Sequence, residues 1–411
     1  MGGRVRMPGT EETQARPRRG RPPSNRRALI LREAARLFHE HGFHGTSIIQ
    51  IGAAAGVKGP TVYRHFPDKN AVLVALIEQS AERSEAEIAR IDREGGGPRE
   101  VLERLVHAQV RQAIDDGPLS AVAAREVRSL SPETSEPLLR RGRANFQEWV
   151  DRIVGARPEL TADEARALTA GAKWLIFTVA TGHAGLDDQL LYRLIVRMTL
   201  GLLLPNGPSR APATAVTRPP LAGGDRRELI IQEAARLFVE KGYHATGMDE
   251  IGEAVGVTGP ALYHHVNGKD ELLLAILRAE ADRAEAEVAE TYHVDGPAGR
   301  LLEALVRARV RRALTDAHLM AVVDRESHTL PPSRRQGVLR SQRINREEWV
   351  HLIAESRPDL RDAEVRAMVD GVRALIFGLV TSGTSLVGDR LEAVALDAAL
   401  AVLFPMEDAA G

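Results

Sequence analysis

Thr61, Tyr63, Arg64, His65 and Lys69 lie within nine positions of one another, in the stretch GVKGPTVYRHFPDK that runs from Gly56 to Lys69. On a helix at about 100° per residue, Val62 and Phe66 share one face and Arg64 points almost opposite. Thr61 then lies beside Arg64, and Tyr63 and His65 flank the seam. A short helix that anchors by two apolar residues and turns basic and hydroxyl groups outward suits reading of base edges in a DNA major groove. Tyr63 and Lys69 are expected at the edges, holding phosphates and setting register. The competing explanation is that any three-helix packing unit has an outward polar face. Two details oppose it. The chain has five lysines among its 55 basic residues and five tyrosines, yet Tyr63/Lys69 and Tyr263/Lys269 stand at matching places.

Positioning these side chains takes three helices. Arg26 to His41 places Leu29, Ala34, Leu37 and Phe38 on one stripe, and Gly42 supplies a positive-φ stop. Thr46 is the expected N-cap of a second short helix that carries Ile48 and Ile51 inward. Gly56 makes the turn, and Pro60 opens the third helix. A long charged helix follows Lys69 to about Arg93 and ends at Gly95 to Pro98. Further helices are expected near 99–115, 118–129, 132–155, 161–183 and 187–204. No stretch has the alternation of a strand ladder.

The whole pattern occurs twice. At an offset of 200, GVTGPALYHHVNGK (Gly256 to Lys269) repeats the first motif, EAARLF recurs at Glu33 and Glu233, and Arg125-Glu126, Trp149 and Pro205 meet Arg325-Glu326, Trp349 and Pro405. A period this long is a duplicated domain pair rather than a solenoid. The expected division is a basic arm (1–25), a helix-turn-helix domain (26–70), a helical domain (71–205), a Pro/Gly/Ala-rich linker (206–225), a second helix-turn-helix domain (226–270), a second helical domain (271–405) and a tail (406–411).

Composition narrows the function classes. At 411 residues, 44% hydrophobic and 27% charged, the chain suits several helix-rich globular domains. The absence of cysteine removes disulfides, thiolate ligands and a cysteine nucleophile, and points to a reducing, cytoplasmic setting. No apolar run approaches a membrane span, and the arginine-rich start lacks the apolar core of a signal peptide. The net charge of −1 leaves any nucleic-acid binding to local patches. Without a glycine-rich phosphate loop after a strand or a GxSxG, an enzyme reading rests on histidines alone, and His39, His41 and His44 suggest a metal only weakly, because positions 239 and 241 hold Val and Lys. No cofactor, metal or catalytic residue is expected.

The run from Gly42-Phe43 through Thr46, Gly56-Val57 and Pro60-Thr61-Val62-Tyr63 to Lys69 resembles the DNA-binding domain of the tetracycline-repressor (TetR) family, strongly over 26–80 and 226–280. The helical remainder is similar, more loosely, to that family's effector-binding and dimerising domain. The resemblance implies an all-α fold of two tandem units. It implies DNA contacts at Thr46, Lys58, Thr61, Tyr63, Arg64, His65 and Lys69, and at Thr246, Thr258, Tyr263, His264, His265 and Lys269. The second copy departs from the first at Thr258, Ala261, His264 and Val266, so it reads a different half-site or has weakened. Ahead of the first copy, Arg19-Gly20-Arg21-Pro22 has the look of an AT-hook. Its arginines would enter a narrow minor groove; the alternative is a basic tail that raises non-specific affinity.

Arg125, Glu126, Asn145, Trp149, Trp174 and Phe177, with Arg325, Glu326, Asn345, Trp349 and Phe377, could line an effector pocket for a largely apolar small molecule. Structural packing with an internal salt bridge is the other reading of the same set. Small residues in the last two helices of each half (Gly171, Thr181, Gly182 and Gly185; Gly371, Gly378, Ser382 and Gly383) look like the four-helix contact by which the family pairs its subunits. In a fused chain that surface could join half to half as an intramolecular pseudo-dimer, with a further homodimer left open. The resulting expectation is a ligand-responsive repressor that reads operator DNA. The alternative is a helical small-molecule or partner-binding protein with a vestigial second DNA-binding head.

Overall fold

The structure is a computed structural model that describes residues 23–116, 127, 130–182, 186–205, 226–257, 262 and 266–404. Residues 1–22 of the basic arm, with Arg19 and Arg21, the whole of the 206–225 linker and the C-terminal tail lie outside the described residues, and residues 23–25, expected in the arm, begin the first helix. Among those described there is no strand, and no helix is long and apolar enough to cross a membrane.

The first half contains α1 (Pro23–Gly45), α2 (Ile48–Ala54), α3 (Gly59–His65), α4 (Lys69–Glu94), α5 (Pro98–Asp116), α6 (Pro132–Ala156), α7 (Ala162–Gly182) and α8 (Asp188–Leu203). The second contains α9 (Arg226–Lys241), α10 (Met248–Ala254), α11 (Lys269–Thr291), α12 (Ala298–Glu326), α13 (Pro332–Ser356), α14 (Asp362–Val380) and α15 (Gly388–Leu403). The expected first helix is present, and its direction breaks at Gly42, whose φ of 73° only glycine adopts without strain. Residue 118–129 of the first half lies largely outside the description. In the second half the corresponding stretch continues α12 beyond a break at Asp316.

Ser47, not Thr46, caps α2: its side chain accepts from Gln50 N at 3.2 Å while Gln50 Oε1 accepts from Ser47 N at 2.8 Å. Asp68 caps α4 by accepting from Ala71 N at 2.8 Å. In the second half both caps are glycines, Gly247 and Gly268, with no side-chain bond. Glycine is the mildest replacement for a capping side chain, so both helices still begin at the matching places.

Three apolar cores organise the chain. One fills the first three-helix unit around Phe38, Ile51, Val62 and Leu73, and takes in Val127, Leu130 and Leu138 from the helical body. A second fills the other unit around Phe238, Ile251, Leu262 and Leu273, with Leu319, Val322, Leu330 and Val338. The third runs through both helical bodies, from Trp149 and Leu175 to Leu375 and Trp349. Its centre is the close packing of α7 against α14, with α8 against α15 alongside. A Cβ placed on Gly171 would lie 2.5 Å from Leu375 Cδ1 and 3.2 Å from Leu375 O, so a larger residue there would force the crossing to repack.

Candidate nucleic-acid interface

In the first unit α2 and α3 meet at Gly52, where a Cβ would stand 3.1 Å from Val57 O and 3.2 Å from a Val62 methyl. That approach fixes α3. Val62 is fully buried and Phe66 nearly so, as the helical wheel requires. Tyr63 is 55% exposed, Arg64 is exposed, and Thr61 and His65 are half-buried. Lys58 sits exposed at the N-cap of α3, and the Arg27 guanidinium stacks over Phe66 at 5.2 Å. The outward face of α3 therefore presents a phenol, a guanidinium and an imidazole beside one another, on a helix held from behind.

Thr46 and Lys69, both expected to contact DNA, are tied to the backbone behind the surface. Thr46 is only 2% exposed, and its hydroxyl donates to Leu37 O at 3.1 Å and Gly42 O at 2.9 Å. Lys69 Nζ donates to Phe43 O at 2.7 Å and Thr46 O at 2.9 Å and lies 4.4 Å from the Phe43 ring centroid. The same lock recurs. Thr246 donates to Leu237 O and Gly242 O at 3.3 and 2.9 Å, and Lys269 donates to His244 O and Thr246 O at 3.2 and 2.7 Å over the Tyr243 ring. Burial pushes the Lys269 ammonium below its ordinary range. The resemblance carried residue types to the right places. The hydrogen bonds add that two of them also hold the backbone behind the surface.

Thr258, Tyr263, His264 and His265 lie outside the described residues; Leu262, fully buried, anchors the second unit as Val62 anchors the first. The units differ in charge. Residues 26–70 hold seven Lys and Arg against three acids, a net of +4, whereas 226–270 hold five against seven, a net of −2. Three of the added carboxylates, Asp249, Glu250 and Glu253, stand on α10 where α2 has Ile49, Gln50 and Ala53. Lys241 pairs with Glu250 and relieves one of them.

In the helical bodies Trp149 and Trp349 are fully buried core residues. Asn145 donates to Ser84 Oγ at 2.8 Å and accepts from Lys173 Nζ at 2.9 Å; Asn345 donates to Ala284 O and accepts from Arg373, both at 2.7 Å. Each half thus sets one cation beside an Asn. Burial lowers the Lys173 ammonium to about 8, and lowers Arg373 as well. Trp174 meets Phe177 of its own half edge-on at 6.3 Å and Phe377 of the other half edge-on at 5.1 Å, where α7 crosses α14. Glu326 accepts from Thr329 Oγ1 at 3.2 Å; Arg125, Glu126 and the Arg325 side chain lie outside the described residues.

A charged cluster that the sequence reading did not single out fills the second body. Arg312 donates to Glu287 at 2.5 Å and to Glu280 at 3.0 Å, with Arg309 3.9 Å from both carboxylates, and all four are almost wholly buried. Burial raises the Glu287 carboxyl pKa, against the pull of Arg312. The available signal was in the repeat itself, where Ser80, Gln109 and Gln112 are replaced by Glu280, Arg309 and Arg312.

In the first half a short helix anchored by Ile48, Ile51 and Gly52 crosses a second short helix that offers basic and aromatic groups, which defines a helix-turn-helix unit mounted on a helical body. In the second half α9, α10 and Leu262 occupy the matching places. Residues 30–76 and 230–276 each match the bacterial regulatory proteins of the tetR family. The chain thus carries two segments, one in each half, that match this family's N-terminal domain. Over 84 residues it is 38% identical to the HTH-type transcriptional activator FasR of Mycolicibacterium smegmatis, covering 20% of this chain and 38% of FasR. It is 27% identical over 153 residues to the HTH-type transcriptional repressor KstR2 of Rhodococcus jostii, 37% of this chain and 74% of that one. The crystal structure of a TetR-family transcriptional regulator from Bordetella parapertussis aligns with 45% of this chain and 97% of its own, at 19% identity and a TM-score of 0.40. The match to FasR therefore spans well under half of that relative.

Proposed function

We propose that the protein is a ligand-responsive transcriptional repressor whose two halves pair within one chain and present two heads to an operator in cytoplasmic DNA. The observation that carries this reading is the exposed Tyr63–Arg64 face of α3, on a family DNA-binding domain that occurs twice and is joined through the α7–α14 crossing. Two heads on one face of DNA engage sites about one helical turn apart, or a multiple of it. The charge difference between heads makes the first the main source of affinity and the second the reader of a weaker half-site. A small molecule held in a helical body shifts the heads through α4 and α11, which run unbroken from head to body. Operator DNA then weakens ligand binding by the same factor that the ligand weakens DNA binding.

The test is anisotropy titration of DNA from the chain's own promoter region at fixed salt. Tyr63→Ala/Arg64→Ala should remove specific binding, and Tyr263→Ala/His264→Ala should weaken it by a smaller factor. Unchanged binding in both variants would sink the proposal. A loss confined to the first would favour the second reading, a vestigial second head, which the net −2 charge of that head supports.

A further inference from the structure

The α7–α14 crossing is not symmetric. A Cβ on Gly378 would lie 2.6 Å from Trp174 Cδ1, 2.9 Å from Trp174 Cβ and 2.8 Å from Ala170 O, so the indole fills the space that Gly378 leaves empty. The offset of 200 gives the reciprocal pair as Thr178 and Ala374. Where one half has the large residue the other has none, and where the second half has shrunk to alanine the first has grown to threonine. The two pairs therefore differ in shape, and the seam is one-handed. The Gly171 and Gly371 contacts are matched in part: Gly171 meets Leu375 and Leu379, and Gly371 meets Leu175 and Val179, with Met198 Cε closer still where the offset position is Ala398.

A second, polar asymmetry lies at the end of the same seam. Thr384 Oγ1 donates to Asp163 O at 3.2 Å, Ser385 donates to the Asp163 carboxylate, and Arg390 pairs with Glu164, which is 1% exposed. The offset positions hold Ala184, Gly185 and Leu190, which carry no such donors. Glu364, the counterpart of Glu164, instead accepts from Arg361 of its own half at 3.1 Å.

We infer that this seam is a knob-and-hole interface specific for a first half against a second half, and that it excludes pairing of like halves. The inference rests on the half-to-half pairing proposed above. In a first-with-first pair each Trp174 would strike Thr178 instead of a glycine, and Arg390 would be missing from Glu164. In a second-with-second pair Ala374 would face Gly378 and leave voids, with Arg390 facing a glutamate already held by Arg361. Close-packed interiors resolve differences of this size. Such discrimination by misfit is how an interface rejects a near-identical partner. It keeps the two unlike heads in fixed one-to-one combination, which an asymmetric operator requires.

The test needs no DNA, so its failure and that of the operator proposal are distinguishable. A protease site is introduced within 206–225 of the full chain and cut after purification, and the pairs are identified by native mass spectrometry after overnight exchange. The expected result is pairs of unlike halves only. Pairs of two first halves in comparable amount would overturn the inference. In the uncut chain, Gly378→Thr should lower Tm by roughly 4 °C or more. Trp174→Ala/Gly378→Thr, which makes both sides of the packed seam Ala against Thr, should recover most of that loss and, once cut, give a larger share of like pairs than wild type, the Thr384, Ser385 and Arg390 contacts still favouring unlike ones. A Gly378→Thr chain as stable as wild type would count against the inference even if the double variant failed to fold.

Discussion

Lys69 Nζ donates a hydrogen bond to the Thr46 carbonyl at 2.9 Å, and Lys269 makes the same bond to Thr246 at 2.7 Å. Each lysine thereby ties the start of the long helix, α4 or α11, to the loop that follows the first helix of its head. A charge-assisted bond of this kind contributes more than a neutral one. The lysine fixes where α2 begins, and through the contact at Gly52 it fixes the pitch of α3.

Lys69→Met should destabilise the first head by about 2 kcal/mol. It should weaken DNA binding by loosening α3 while leaving the slope of log K against log salt unchanged. A residue that neutralised a phosphate would remove about 0.9 from that slope. Thermal unfolding and a salt series of anisotropy titrations together separate the two roles, and a shallower slope with unchanged Tm would restore Lys69 to the phosphate contacts.

Arg64→Ala should behave in the opposite way. Arg64 is exposed on α3, so Tm should move by less than about 0.5 kcal/mol equivalent. Specific affinity should fall about tenfold or more, with discrimination between operator variants reduced if the guanidinium reads a base edge. Equal loss on every sequence, with a shallower salt slope, would assign it to a phosphate instead.

The all-α architecture and the duplication were legible because each rests on a long-range regularity: apolar residues at helical spacing, and an offset of 200 without insertion. The anchoring of α3 by Val62 and Phe66 was legible for the same reason. The roles of Thr46 and Lys69 were not, because a hydroxyl or an ammonium serves phosphate or backbone carbonyl equally well and only the path of the chain decides. Trp174 was read as part of a pocket within one half. Its partner Phe377 is 203 positions away in sequence, and no local pattern announces such a contact. Departures between the copies proved the more useful guide: Trp174 against Ala374, Thr178 against Gly378, and Gln112 against Arg312 each mark a place where the halves do different things.

The buried cation beside Asn145 gives a pH signature. Burial lowers the Lys173 ammonium to about 8 from its ordinary 10.5. Between about pH 8 and 10.5 the unfolded chain therefore holds more protons than the folded one, and the contribution of Lys173 to stability rises with pH through that window. Lys173→Met lacks this rise. The Tm of Lys173→Met minus that of wild type should be most positive below pH 8 and shrink steadily toward pH 10.5. A difference independent of pH over that range would show that Lys173 keeps its ordinary pKa.

In the second body, Arg312 and its two glutamates should act as a unit. Arg312→Gln alone leaves Glu280 and Glu287 buried beside Arg309, whose nearest approach to either carboxylate is 3.9 Å, and should cost about 3–5 kcal/mol. Glu280→Ser alone removes one anion from a cluster that already has buried guanidinium nitrogens without hydrogen-bond partners, and should also be costly. Glu280→Ser/Arg312→Gln installs the residues of the first half, Ser80 and Gln112, where Gln112 Nε2 donates to Ser80 O at 3.0 Å. The double variant should therefore be markedly more stable than the sum of the single losses, with a coupling of about 1–3 kcal/mol by double-mutant cycle. Additive losses would mean that the four charges do not depend on one another. A recovered double variant would also show that the second body accepts the polar interior of the first, so that the ion cluster is one of two fillings of a shared scaffold rather than a requirement of the fold.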